Sequence, residues 1–133
     1  MATRCSIGIK TKDNKFKAIY CHWDGYPEHT GQVLVEHYND EEQIEKLFEL
    51  GDLSFIDTTL DTCIAYHRDR GEKLHPARVF ETEKEMCDHF SDCWCEYFYI
   101  FKNGKWYFID DFGNFESDGI IDQLVSEHLK NYN

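Results

Sequence analysis

The chain has 133 residues, 41% of them apolar and 16% aromatic, which is enough to bury one core and too apolar for a disordered segment. Its net charge of −12 argues against the broad basic footprint of a nucleic-acid binder, and no run approaches the roughly 20 apolar residues of a membrane span. The first ten residues lack the apolar stretch of a secretory signal, so a cytoplasmic protein is expected.

Residues 5–10 alternate weakly and read as a strand, Asp13-Asn14 as a turn, and residues 16–23 as the returning strand of a hairpin. Asp24-Gly25-Tyr26-Pro27 breaks that strand with turn chemistry. Thr30 is a candidate N-cap for a helix carrying Val33, Leu34, His37 and Tyr38 at helical spacing. A second helix is expected from Glu41 to Leu50, with two acids in its first turn and Gly51 as its C-terminal cap.

Residues 62–67 read as a strand, 68–72 as a charged turn and 77–80 as another strand. A third helix is expected from Glu83 to Phe90, capped by Thr82. Asn103-Gly104 between two aromatic, alternating runs is a strong hairpin signal. Residues 120–129 read as a final helix. The expected architecture is a single α+β domain over residues 1–133, with a mixed or antiparallel sheet of five or six strands and three or four helices on one face.

Charge is unevenly spread. Residues 1–20 carry five bases and one acid, whereas residues 21–67 carry eleven acids and only Lys46 as a base. Six cysteines without a secretory signal point to reduced thiols, either packed in the core or bound to a metal. The densest set of soft ligands is Cys87, His89, Cys93 and Cys95, the donor types that zinc prefers. On a helix Cys87 and His89 face different ways, so packed thiols beside a surface histidine are the other reading. In an extended strand Tyr20, His22 and Asp24 share one face, which makes His22, Asp24 and His37 a second candidate metal set.

Arg68-Asp69-Arg70-Gly71-Glu72 reads either as an anion clamp or as an internal salt-bridge knot. The aromatic run from Trp94 to Phe108 lies on two alternating strands, so about half of it belongs to the core rather than to a stacking platform. No phosphate-cradling glycine loop, nucleophile elbow or His-Glu-x-x-His helix is present, and no catalytic residue is assigned.

Ala2-Thr-Arg4, Ile7-Gly-Ile9, the string Tyr20-Cys-His-Trp-Asp-Gly-Tyr-Pro27, Glu36-His-Tyr38, Leu50-Gly-Asp-Leu-Ser54 and Arg68-Asp-Arg-Gly-Glu72 together resemble a family of small phage- and prophage-encoded proteins. The resemblance covers most of the chain. A short acidic phage protein of this kind looks like an anti-CRISPR inhibitor, with the Cas9 effectors of type II systems as the target. The segment from Cys87 to Cys95 departs from the family pattern, so a metal at His22 fits the shared motif better than one at the cysteines.

The resemblance and the charge together lead to one expected function. An acidic surface formed by Asp24, Glu28, Glu41, Glu42, Glu45, Glu49, Asp110, Asp111, Glu116 and Asp118 would occupy a basic channel of a CRISPR effector in the host cytoplasm. A structural zinc ion is the one cofactor considered, and no direct nucleic-acid or membrane partner is expected. Two alternatives remain. One is a sponge for a signalling nucleotide, with Arg68 and Arg70 on phosphates and Trp23 stacking the base. The other is a small zinc-dependent hydrolase.

Overall fold

The computed structural model describes residues 2–110 and the short strand Gln123–Leu124. One mixed sheet organises the chain. Its strands are β1 (Arg4–Lys10), β2 (Phe16–Cys21), β3 (Leu53–Phe55), β4 (Ile64–Ala65), β5 (Arg78–Phe80), β6 (Cys95–Lys102), β7 (Lys105–Asp110) and β8 (Gln123–Leu124). Their order is β4-β3-β2-β1-β6-β7-β8, and β5 pairs with β2 beside β3. Two pairings are parallel, β1 with β6 and β2 with β3, and the rest are antiparallel.

The α+β class and the mixed sheet match the sequence reading, but the sheet has eight strands rather than five or six. The helices also divide between its two faces instead of sharing one. On one face, α1 (Gln32–His37) and α2 (Glu41–Phe48) pack on Cys5, Ile7, Ile9, Ile19, Cys21, Tyr99 and Phe101. On the other, α4 (Glu83–Ser91) sets Met86, Cys87 and Phe90 against Ala18, Phe98 and Ile100. Strands buried on both faces carry runs of apolar residues rather than strict alternation, as the burial of β1 from Cys5 to Ile9 shows.

Local chemistry explains each helix. Asp40 accepts a bond from the Gln43 amide at 2.8 Å and caps α2, whose Ile44, Leu47 and Phe48 point into the core. Each such side chain contributes about 1.5–3 kcal/mol by leaving water. The helix ends at Phe48 with Glu49 as its C-cap, two residues short of the expected Leu50, and Gly51 turns left-handed just beyond it at φ +73°. Thr82 caps α4 by accepting from the Glu85 amide at 3.1 Å. Gly8 lets α4 approach β1, since a Cβ there would stand 3.0 Å from the Met86 sulfur.

Three readings change. Thr30 is not a cap: a single π-helical turn, Pro27–Gly31, precedes α1, and the Thr30 hydroxyl donates to the Asp24 carbonyl at 2.7 Å. Tyr66 and His67 leave the expected strand after Ala65 and begin α3 (Tyr66–Arg70), which ends at Gly71 with φ +67°. Within the expected final helix, Gln123–Leu124 is a strand paired with Phe108 and Tyr107; the remainder of that segment lies outside the described residues. The Asn103-Gly104 hairpin stands as expected, with φ +55° and +74° at its two central residues.

Candidate functional site

The string from Tyr20 to Pro27 builds the corner where β2 leaves the sheet. Cys21 is the last strand residue and faces the core directly opposite Cys5. The amides of His22 and Trp23 donate to the carbonyls of Leu53 and Ser54 at 3.1 and 2.9 Å, which holds the chain alongside β3 after β2 ends. Asp24 then turns left-handed, at φ +55°. Gly25 passes so close to β1 that a Cβ would lie 2.8 Å from both Cys5 Cβ and the Thr3 carbonyl oxygen. The Gly25 amide donates to that carbonyl at 2.8 Å, and the Gly25 carbonyl accepts from the buried Tyr99 hydroxyl at 2.7 Å. Pro27 opens the π turn with no amide to satisfy. His29 donates through Nε2 to the Ile56 carbonyl at 2.9 Å and stacks on Phe55.

Polar and aromatic groups gather at the same end of the sheet. The Tyr20 hydroxyl and His22 Nδ1 share a hydrogen bond of 2.7 Å, and the Trp23 ring meets His22 edge-on at 4.8 Å. Burial first, then the positive charges of Arg4 and Arg70, lower the pKa of His22 and keep its imidazole neutral at pH 7. Burial raises the Tyr20 phenol, with the Arg4 charge opposing it. Arg70 lies over the Tyr66 ring at 5.4 Å. Arg68, two residues earlier, is engaged within the fold. It forks onto Asp69 with two bonds of 3.0 Å and donates to the carbonyls of Leu60 and Cys63 at 2.9 and 2.7 Å. For Arg68 the salt-bridge knot is therefore the reading that holds.

The soft-ligand segment does not converge. Cys87 is buried on the inner side of α4, while His89 is exposed on the outer side against Phe80. Cys95 is buried at the start of β6 and Cys93 is half-buried just before it. Among the described residues no group of three or more His, Cys, Asp or Glu side chains is placed to hold a metal ion. The second set is also dispersed: His22 bonds to Tyr20, Asp24 has turned out of the strand beside Tyr26, and His37 pairs with Glu36 at 3.8 Å on α1.

Of the acidic positions, Glu41, Glu42, Glu45 and Glu49 line the solvent side of α2 and its end. Glu45 meets Lys17 at 2.9 Å, and Glu42 meets Lys46 at 3.5 Å. Glu28 is half-buried in the π turn, and Asp110 ends β7. Asp111, Glu116 and Asp118 lie outside the described residues.

Sequence reading missed Arg4 and Tyr66 at the sheet end. The i, i+2 alternation of β2 already placed Tyr20 beside His22. The convergence of Arg4 and Arg70 depends on strand order, which no local pattern encodes. No helix among the described residues is long and apolar enough to cross a membrane. No family model, curated protein or solved structure matches the chain.

Proposed function

We propose that the chain acts by binding rather than by catalysis, docking the carboxylates of α2 and its flanks onto a basic, nucleic-acid-handling protein. The observation that carries this reading is the exposed row Glu41, Glu42, Glu45 and Glu49, set within a segment where eleven acids face one lysine. Carboxylates in such a row offer a basic channel the charge it evolved to receive from phosphates. Their pairs with Lys17 and Lys46 are at the surface and weak, so they yield readily to a stronger cationic partner.

The resemblance to phage anti-defence proteins makes a CRISPR effector of the Cas9 type the partner of choice, in the cytoplasm of an infected bacterium. Blocking would follow from occupancy: guide or target nucleic acid and this protein would compete for one basic surface. The test is capture of purified effector by wild type and by a Glu41→Lys/Glu42→Lys/Glu49→Lys variant, which leaves Glu45 to hold Lys17. Loss of capture by a variant that still unfolds in one cooperative urea transition supports the reading. Undiminished capture by the variant rejects it.

A further inference from the structure

Apart from the docking face, we propose that the sheet end ringed by Arg4, His22, Trp23, Tyr66, Arg70 and Trp94 is a binding site for a free nucleotide. Topology brings these residues together. In the order β2-β1-β6, the C-terminal end of β2 lies beside the N-terminal ends of β1 and β6. Trp23 follows the first, Arg4 opens the second and Trp94 precedes the third. Cys95, which follows Trp94, is the register partner of Arg4. Tyr66, which opens α3, donates its amide to the carbonyl of Asp52, whose carboxylate holds the Tyr20 amide, and Arg70 lies over the Tyr66 ring, so α3 sits beside the same corner.

The arginines mark the place. Of the four in the chain, Arg68 and Arg78 each pair with a carboxylate. Among the described residues no carboxylate forms an ion pair with Arg4 or Arg70. In a chain of net charge −12 these two guanidinium groups belong to the same sheet end as the His22 imidazole, whose Nδ1 is bonded to Tyr20. Two guanidinium groups and an imidazole are the donor set for a phosphate. Stacking of Arg70 on Tyr66 holds its fork in place before any ligand arrives.

The aromatic groups supply the base site. Trp23 is 43% exposed and Trp94 is 77% exposed, large apolar faces left in water. Trp94 closes the turn that leaves α4, its amide donating to the Ser91 carbonyl at 3.0 Å and its backbone left-handed at φ +68°. Stacking a nucleobase on an indole contributes about 1–3 kcal/mol. A free nucleotide fits better than a nucleic-acid strand, because further phosphates would meet the repulsion of the whole acidic surface.

The test is calorimetry on the full chain with adenosine and guanosine monophosphates, a cyclic dinucleotide, inorganic phosphate, an unphosphorylated nucleoside and a short single-stranded oligonucleotide. At least one nucleotide is expected to bind more tightly than phosphate or nucleoside, with quenching of tryptophan fluorescence. Arg4→Ala and Arg70→Ala should each weaken it about tenfold or more, and Trp23→Ala should weaken the nucleotide but not phosphate. Arg70→Lys, which keeps the charge and loses the fork, should fall between and guards against a variant that fails to fold. The proposal is overturned if no nucleotide binds at millimolar concentration, if the arginine variants bind as wild type does, or if the oligonucleotide binds more tightly than every free nucleotide.

Discussion

The guanidinium of Arg78 grips the carboxylate of Asp52 through two parallel bonds, 2.9 Å to Oδ1 and 2.8 Å to Oδ2. The same Oδ1 accepts the Tyr20 amide at 3.0 Å, so one half-buried carboxylate ties β5 to the strand that leads into the His22 corner. Asp52→Ala would strand both the cation and the amide. It should cost about 2–3 kcal/mol of stability, read from the urea midpoint. A loss below about 0.5 kcal/mol would mean that water replaces the carboxylate.

Gly25→Ala tests the close approach of the corner to β1. Its new methyl would sit 2.8 Å from both the Thr3 carbonyl oxygen and Cys5 Cβ, so the backbone must shift to admit it. A loss of about 1–3 kcal/mol is expected. Gly71→Ala is the contrast: its φ is +67° but no atom lies within 4 Å, so only the left-handed backbone is penalised, about 1–2 kcal/mol. Gly25→Ala should also shift the Trp23 fluorescence maximum, whereas Gly71→Ala should not.

Ser6 is fully buried, and among the described residues its hydroxyl has no hydrogen-bond partner. Removing an unpaired polar atom should leave stability unchanged or raise it by up to about 1 kcal/mol, so Ser6→Ala is expected to unfold at equal or higher urea. A clear loss of stability would reveal a bond made to the hydroxyl in solution.

The thiols give the chain an alkaline limit. Burial raises Cys5, Cys63, Cys93 and Cys95 above the usual 9.0 and pushes Cys87 up to about 12. Because these folded-state values exceed the unfolded ones, the folded chain holds protons that the unfolded chain releases. Their contribution is complete below about pH 9 and declines as pH rises toward 12. The urea midpoint should therefore fall steadily above pH 9. At pH 8, alkylation followed by mass spectrometry should mark Cys93 first, since the other five thiols are buried.

Legibility followed locality. Thr82, Gly51 and Asn103-Gly104 act within a few residues of themselves, and each was readable. The three-residue β3 is too short to show a period, and its Ser54 is buried where a polar residue would be read as exposed. Helix α3 buries none of its residues, so it has no apolar stripe; Arg68 bonding back to Leu60 and Cys63 holds it instead. A register shift between Arg4 and Cys5 opposite β6 puts Cys95 on the α4 face while Tyr97 packs on the other, which defeats any alternation count through that strand. At the sheet end His22 and Trp23 stood out by type, but Arg4 joined them only through strand order.

The salt dependence of binding to a purified Cas9–guide complex bears most directly on the claim that this protein docks by its negative face. Between about 0.05 and about 0.2 M salt the dissociation constant should rise by an order of magnitude or more, as for other strongly charged contacts, and added target DNA should compete. A dissociation constant that stays level across that range, or a complex that tolerates bound target DNA, would contradict it.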